Sequence, residues 1–259
     1  MSSSLAVQVG TLARRSVVRT LRQPVIVVPN VVLPLFLLAV LSSGGNQTTK
    51  IQGFPTQSYT TFMLGAMLVQ GAASAMTVAG NALGSDIETG FLSRLALTPV
   101  RGVALIAAQL AGVAVIGLGQ SVLYLLVALA AGASVKAGVG GAFVLLAVVL
   151  LMILAFGAIG LFAAVRLGSA DLVQALFPIA LGLLFMSSMF MPRNLISAHW
   201  FRTIATYNPM SYFVEATRSL LITGWNGEAL ALGCGFAAVT VIVAITGAVA
   251  SLSRWIVRT

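Results

Sequence analysis

Six windows of the sequence, each longer than 20 residues, contain no Asp, Glu, Lys or Arg. A helix that crosses the hydrocarbon core of a bilayer needs about 20 mostly apolar residues, so no window holds two such helices and a turn. The windows therefore predict six membrane-spanning helices, one each in residues 23–49, 51–85, 102–135, 137–165, 172–192 and 229–253.

The composition of the chain agrees with this prediction. Of the 259 residues, 59% are hydrophobic and 7% are charged, whereas soluble domains carry about 25% charged residues. Apolar runs of this length also exclude a membrane β-barrel, whose strands alternate at every residue. The single cysteine, Cys234, excludes an intrachain disulfide. The expected fold class is an all-α integral membrane protein, with residues 1–259 forming one transmembrane domain.

The basic residues predict the orientation of the chain. Cytoplasmic segments carry an excess of Lys and Arg, and six spans place both termini on one side. With the termini in the cytoplasm, nine basic residues lie inside and five outside. The inner ones are Arg14, Arg15, Arg19, Arg22, Arg94, Arg101, Arg166, Arg254 and Arg258, and the outer ones are Lys50, Lys136, Arg193, Arg202 and Arg218.

This distribution also bears on partners and location. The net charge of +9 raises the possibility of nucleic-acid binding, but no basic surface remains once the spans are placed. Twelve Arg against two Lys, with abundant Ala, Gly and Val, is typical of a GC-rich bacterial genome. We therefore expect a multi-pass protein of a bacterial plasma membrane, with lipids and no nucleic acid among its partners.

Residues 5–22 form the first of three segments outside the spans. Leu5, Val9, Leu12 and Val17 recur at near-helical spacing, and three arginines, Arg15, Arg19 and Arg22, share another face. The pattern predicts an amphipathic helix on the inner membrane surface, with arginines near lipid phosphates. The alternative is a topology anchor with no further role.

Residues 84–101 form the second segment, a predicted cytoplasmic loop. Ser85 and Glu88 match a capping box that starts a helix, and Thr98 before Pro99 ends it. The apolar residues between them recur at four-residue steps: Ile87, Phe91 and Leu95. A helix this short is marginal in water, so either the membrane surface or a cytosolic protein must pack on it. We favour the protein.

Residues 193–228 form the third segment, on the outer side. Asn208 and Pro209 match a helix start, with Asn as cap and Pro at the first helical position. An apolar stripe of Met210, Phe213, Thr217 and Leu220 follows, and Glu215 with Arg218 has the spacing of an i,i+3 ion pair. Aromatic residues typical of a membrane interface, Trp200, Tyr207, Tyr212 and Trp225, accompany them. Two short helices dipping into the outer leaflet would account for these features.

Catalytic and nucleotide-binding patterns are missing from the sequence. The only histidine, His199, lies away from any Ser-rich span, and metal-ligand residues do not cluster. No G-x-x-x-x-G-K-[ST] occurs, so a P-loop on this chain is excluded. Polar residues within the spans are neutral, which disfavours an ion-driven carrier. Gly80 and Gly84 form a G-x-x-x-G pattern that predicts close helix packing.

Taken together, these segments resemble the membrane subunit of an ABC-2 type transporter over nearly the whole chain. Asp86-Ile-Glu-Thr-Gly-Phe-Leu-Ser-Arg-Leu-Ala-Leu-Thr-Pro99 is similar to the family's inner coupling helix. Asn208-Pro-Met-Ser-Tyr-Phe-Val-Glu-Ala-Thr-Arg218 is similar to its Asn-Pro segment. The Gly-Phe-Leu-x-Arg-Leu stretch is most like bacterial daunorubicin-type drug-resistance permeases. Ser93 replaces a frequent acidic residue, and His199 stands where Pro is common.

The resemblance implies an exporter of hydrophobic drugs or lipids that is energised by a separate cytosolic ATPase. ATP and Mg²⁺ would bind to two copies of that ATPase, and no cofactor would bind to this chain. A second copy of the chain, or a paralogue, would complete the pathway. The implied ATPase contacts are Asp86, Glu88, Gly90, Phe91, Arg94, Leu95 and Pro99.

The resemblance also implies a substrate path and an outer gate. Apolar and polar residues assigned to the path are Gln70, Phe177, Phe185, Met186, Met189 and Phe190, for which core packing is the alternative. The outer gate helix would comprise Asn208, Pro209, Tyr212, Glu215 and Arg218. Glycan or glycolipid export fits the same architecture, and a non-transporting assembly or sensor subunit remains a further alternative. A membrane-embedded enzyme ranks last.

Overall fold

The computed structural model describes residues 5–22, 24–45, 47–90 and 102–258, and within these ranges the chain is helical, with no strands. The α-helices are α1 (Leu5–Leu21), α2 (Pro24–Gly45), α3 (Tyr59–Glu88), α4 (Gly102–Ala130), α5 (Gly138–Leu167), α6 (Ala170–Gln174), α7 (Leu176–Phe185), α8 (His199–Tyr207), α9 (Pro209–Arg218) and α10 (Gly227–Arg258). The predicted all-α membrane class is confirmed, because five of these helices are long and apolar enough to span a bilayer: α2, α3, α4, α5 and α10.

Helix α3 forms the centre of the bundle. Its side chains are buried around the whole circumference, as expected of a helix that is apolar on every face. It packs against α5 most closely at Gly160, where an added Cβ would overlap the Met76 carbonyl. Gly80 faces both Gly160 and Val173 of α6, and Gly84 faces Ala170. The predicted close-packing role of Gly80 and Gly84 is confirmed.

The fifth charge-free window does not hold one continuous helix, and that prediction is wrong. Helices α6 and α7 meet at Ala175 and together reach only from Ala170 to Phe185. Pro178 explains the break, because a proline has no N–H and its ring clashes with the carbonyl of the residue four positions earlier. That residue, Gln174, is the last of α6. The six predicted continuous spans are therefore five, plus this broken pair.

The broken pair nevertheless runs along most of α3. The backbone N–H of Ala170 donates to Glu88 at the C-terminal end of α3. After α7, the carbonyls of Ser188 and Met189 meet the same guanidinium as the carbonyl of Phe62, near the start of α3. Residues 170–189 therefore extend from one end of the bundle to near the opposite end, although they do not form one continuous helix.

Helix α2 contains a proline, Pro34, that leaves one backbone carbonyl without its helical donor, and side chains of α4 replace that donor. Pro34 cannot donate to the carbonyl of Asn30, four residues earlier in the helix. The Asn30 carbonyl instead accepts hydrogen bonds from Tyr124 Oη, at 2.6 Å, and from Gln120 Nε2, at 2.8 Å. Because a lipid-facing backbone carbonyl needs a partner, these two side chains make the proline tolerable and fix α2 to α4.

Helix α1 packs along the first half of α4. Ser16 Oγ donates to Gln109 Oε1 at 2.8 Å, and Ser16 and Thr20 are both buried in the contact. Because α1 contacts both the first half of α4 and the last turn of α3, these three segments lie at the same end of the bundle. Leu252 of α10 lies against Gly102 at the same end.

The opposite end holds the loops between spans. The backbone N–H groups of Lys136 and Ala137 donate to the carbonyls of Leu221 and Leu220, just after α9. Ser134 N donates to Thr61 Oγ1 at the start of α3. Helices α8 and α9 therefore belong to the end that the charge pattern predicts to be the outer one.

Candidate functional site

Asp86 is the centre of a polar cluster at the α1 end of the bundle. Its carboxylate is 2% exposed, and Oδ1 lies 2.7 Å from Arg19 Nη1 and 3.3 Å from Arg15 Nη2. Gln109 Nε2 donates to Oδ2 at 3.5 Å, and Arg19 Nη2 also donates to Ser85 Oγ at 2.8 Å. Side chains of α1, α3 and α4 thus converge on one carboxylate.

The position of Asp86 has an energetic reason. A carboxylate removed from water is costly unless it is paired and hydrogen-bonded, and here two guanidinium groups and an amide meet that need. In return, the cluster fixes α1 to the spanning helices at a defined rotation. Sequence reasoning assigned Asp86 to an ATPase contact, but its buried carboxylate is engaged within the chain.

The end of α3 differs from the predicted capping box. Helix α3 continues without interruption to Glu88, so Ser85 lies in its last turn and does not start a new helix. That prediction is wrong because the buried Asp86, neutralised by α1, lets the helix run past the charge-free window. Glu88 Oε1 accepts from Ala170 N at 3.0 Å, at the start of α6.

Gly90 marks the point where the chain leaves α3. Its φ of +67° lies in the left-handed region that favours glycine, and its N–H donates to the Ile87 carbonyl at 3.0 Å. Among the residues that the structure describes, no atom lies within 4 Å of a Cβ added there. The geometry gives Gly90 the role of a helix terminator. The remaining predicted ATPase contacts, Phe91, Arg94, Leu95 and Pro99, lie outside the described residues.

The predicted helix start at Asn208 and Pro209 is confirmed, and the assignment of this helix to an outer gate stays a prediction. Asn208 Oδ1 accepts from Met210 N at 2.9 Å, and Pro209 takes the first helical position of α9. The Asn208 amide also donates to the Leu183 carbonyl of α7 at 2.6 Å, which ties α9 to the broken pair. The predicted apolar stripe is buried as a whole: Met210, Phe213, Thr217 and Leu220.

Arg218 is a buried cation at the end of α9. It is 7% exposed and donates to the carbonyl of Phe62 at 3.0 Å, to that of Ser188 at 2.5 Å, and to that of Met189. Its guanidinium carbon lies 3.4 Å from the centre of the Phe62 ring. Burial lowers the pKa of Arg218 to about 9, which leaves the group protonated at neutral pH. Arg218 thus links α9 to two other segments of backbone, the start of α3 and residues 188–189.

Glu215 pairs with a residue that sequence reasoning did not connect to it. Its Oε1 lies 2.6 Å from Arg193 Nε, whereas the sequence had predicted an ion pair with Arg218. Ser188 Oγ also donates to Oε1, at 3.3 Å. Burial raises the pKa of the Glu215 carboxyl, and Arg193 opposes that shift. The sequence signal for this pair was limited to the presence of three arginines, Arg193, Arg202 and Arg218, in the outer segment.

A cavity of about 390 Å³ opens beside these charged groups. Arg193, Glu215 and Arg218 line it together with Phe62 and with residues at the start of α10. The ring of Tyr212, also on α9, stacks on the ring of Phe236 of α10, with centroids 5.2 Å apart. Of these three α9 residues, Glu215 and Arg218 line the cavity and Tyr212 does not, and their assignment to an outer gate stays a prediction.

The residues assigned to the substrate path separate into two groups. Phe185 and Met186 are 43% and 45% exposed at the end of α7, and the Phe185 ring stacks on that of Phe190 with centroids 5.5 Å apart. Met189 and Gln70 are buried within the bundle. Phe177 is half-buried on α7. Within the described ranges, no three His, Cys, Asp or Glu side chains are close enough to ligate one metal ion.

Comparison with known protein families identifies a family that this chain matches. A family model described as "ABC-2 type transporter" matches residues 7–222, which is well over half of the chain. The matched region begins within α1 and ends shortly after α9, so it contains both polar clusters. A search of curated proteins found none that matches the chain.

Proposed function

Since the chain belongs to the ABC-2 type transporter family, we propose that it is the membrane subunit of an ATP-driven exporter of hydrophobic drugs or lipids. Membership makes it a transporter permease subunit, and permeases of this family normally work with an ABC ATPase. The observation that carries the proposal is the family match over residues 7–222, together with the lack of a P-loop sequence in the chain.

The proposed ATPase contact is the coupling loop, residues 84–101, acting together with α1. Glu88 and Gly90 bring the chain out of α3, and Phe91, Arg94, Leu95 and Pro99 follow them in the sequence. In this proposal Asp86 is a positioning residue, because its buried carboxylate holds α1 against α3 and α4. A displacement of the loop by the ATPase would therefore move α1, α3 and α4 together.

The proposed cargo path runs beside α7. Phe185 and Met186 offer exposed, adaptable apolar surface at the C-terminal end of α7. Two copies of this chain, or one copy and a paralogue, would place such surfaces opposite each other, with two ATPase subunits beneath. Met189, Gln70 and Phe177 would support the wall from within the bundle.

The proposed outer gate comprises α8 and α9. Arg218 attaches α9 to the start of α3 and to the segment after α7, and Arg193 pairs with Glu215 beside the outer cavity. Release of these contacts would open the outer end of the path. The orientation in this proposal places α1 and both termini in the cytoplasm of a bacterium, in line with the excess of arginines at that end.

The experiment is co-purification of the tagged chain with the ATPase encoded beside it, followed by ATP-dependent efflux from inverted vesicles. Phe91→Ala and Leu95→Ala are expected to reduce ATPase recovery and efflux several-fold. Phe143→Ala is the matched control, because Phe143 is 70% exposed near the start of α5, at the opposite end of the bundle. Failure of any ATPase to associate with the unaltered chain, or unchanged coupling in both loop variants, would overturn the proposal.

A further inference from the structure

Two adjoining cavities lie between α1 and the rest of the bundle. One of them borders the Asp86 cluster through Arg19 and Ser85, and both lie apart from the residues proposed for the outer gate. The first, here called the polar cavity, has a volume of about 160 Å³, and its wall includes Arg19, Asn81, Ser85 and Gln174. The second, here called the apolar groove, has a volume of about 290 Å³. Thr20 and Val78 belong to the walls of both, so the two spaces are neighbours.

The apolar groove follows the direction of the spanning helices. Aliphatic side chains from α1, α2, α3 and α4 form most of its wall: Val17, Val31, Val78, Val115, Ile116 and Leu123. Val115 and Leu123 are 59% and 40% exposed, so the groove opens on the outside of the bundle. From Val115 to Leu123 it follows α4 for about 12 Å, at 1.5 Å per residue.

The polar cavity lies at the α1 end of this groove, next to the last turn of α3. The groups around this cavity could bind a ligand that carries both a negative and a positive charge. Arg19 supplies a guanidinium, a group that suits phosphate oxygens. Glu88 accepts from Ala170 N, and Ala170 is part of the cavity wall, so a carboxylate lies close by.

The side chain of Asn81 contributes an unsatisfied hydrogen-bond acceptor to the wall of this cavity. Its Oδ1 is buried and accepts no hydrogen bond from any residue that the structure describes. A buried acceptor without a donor costs about 1–3 kcal/mol, so a ligand that brings an N–H to this oxygen would be favoured. The adjoining Gln174 provides a second amide in the same wall.

We propose that the polar cavity and the apolar groove together bind one phosphatidylethanolamine molecule from the leaflet at the α1 end. The phosphate lies at Arg19, the ammonium donates to Asn81 Oδ1 on the side of Glu88, and one acyl chain occupies the apolar groove. Arg15 and Arg19 are balanced by Asp86 and Glu88, so the surroundings suit a zwitterionic headgroup better than an anionic one. Phosphatidylcholine has no N–H to offer, and phosphatidylglycerol carries a net negative charge.

This lipid would serve as a structural component of the bundle. It would lie between α1 and the spanning helices, next to the contact that holds α1, and its binding does not depend on what the protein exports. A bound lipid would therefore be present with or without ATP and with or without cargo.

The test is competitive lipid binding to the purified full-length chain, read by native mass spectrometry. Phosphatidylethanolamine, phosphatidylglycerol and phosphatidylcholine with identical acyl chains are supplied in equal amounts. We expect phosphatidylethanolamine to be retained several-fold over both others. Equal retention of the three lipids, a preference for phosphatidylglycerol, or no retained lipid would overturn the proposal.

Two variants test the two parts of the site. Asn81→Leu should abolish the headgroup preference. Gly119→Leu should reduce lipid retention as a whole, because Gly119 lies in the groove wall and a Cβ added there meets no protein atom within 4 Å. Gly235→Leu on α10 is the matched control, since it is also exposed and free of contacts. Unchanged phosphatidylethanolamine retention in Gly119→Leu, with the normal thermal unfolding of the variant, would contradict the assignment.

Discussion

Arg19 Nη1 lies 2.7 Å from Asp86 Oδ1, and this contact joins the N-terminal helix to the last turn of the central helix across 67 positions of the chain. The carboxylate is buried, whereas the Arg19 side chain is 30% exposed. The contact therefore fixes α1 on the bundle while leaving one side of it accessible to other molecules.

Asp86→Ala should loosen α1. Without the carboxylate, Arg15, Arg19 and Gln109 lose their common acceptor, and because both arginines are partly exposed we expect a loss of about 1–3 kcal/mol. The measurement is limited trypsin digestion, in which cleavage after Arg15 and Arg19 should become faster. Asp171→Ala removes an exposed carboxylate from α6 and should leave the digestion pattern unchanged. Identical digestion of both variants would disprove the anchoring role.

Arg218→Met should be among the most destabilising changes in the outer segment. It leaves the carbonyls of Ser188 and Met189 without this donor and removes the second donor of the Phe62 carbonyl, which keeps its bond within α3. At about 1–3 kcal/mol for each of the two unsatisfied acceptors, the loss should reach at least about 2 kcal/mol. The measurement is the midpoint of thermal unfolding in detergent, with Arg218→Lys expected to recover part of the loss.

The control for this prediction is Arg202→Met. Arg202 is a surface residue that donates to a single carbonyl, that of Ile196, so its removal should cost about 1 kcal/mol. Similar unfolding midpoints for the Arg218 and Arg202 variants would show that the three-carbonyl contact adds nothing to the fold.

Glu215 should make the stability of the protein depend on pH. Burial raises the pKa of its carboxyl in the folded state, so the folded protein holds this proton to higher pH than the unfolded chain does. Stability from this group is therefore full below the unfolded pKa and decreases as pH rises through the folded pKa. Relative to Glu215→Gln, the unaltered protein should lose stability from pH 4 to pH 8 in thermal unfolding.

Arg193→Met serves as the companion variant. Arg193 opposes the rise in the pKa of Glu215, so its removal should make the loss of stability with increasing pH steeper. The double variant with Glu215→Gln should show no such difference. A gain in stability of the unaltered protein over Glu215→Gln as pH rises would mean that the ion pair outweighs burial.

The sequence predicted the spanning helices well where the charges alone defined them. It failed where the deciding partner is distant: Asp86 ends a charge-free window, yet α3 continues past it because Arg15 and Arg19 arrive from α1. The pairing of Glu215 with Arg193 was missed for the same reason. By contrast, Asn208 and Pro209 form a local signal, and the helix begins where they predict.

The break between α6 and α7 belongs to a second kind of error. Its cause, Pro178, is visible in the sequence, but a charge-free window records only length and polarity. A proline in the first turn of α7 is acceptable in a new helix and disruptive in a continuous one. Inspection of each proline would have shown that the carbonyls of Gln174 and Asn30 lose their helical donor, but not that Tyr124 supplies a new donor to Asn30.

Gly160→Ala should weaken the packing of α5 on α3. A Cβ at this position would overlap the Met76 carbonyl, so the two helices must separate, and overpacking of this kind costs about 1–3 kcal/mol. Gly182→Ala on α7 is the control, because its Cβ would meet no atom within 4 Å. The unfolding midpoint in detergent should fall for Gly160→Ala and stay unchanged or rise slightly for Gly182→Ala, since alanine favours the helix. Because α3 also packs on α6 at Gly80 and Gly84, separation of α3 from α5 would also disturb the packing of α6. An unchanged midpoint for Gly160→Ala would therefore refute the close approach of the two central helices.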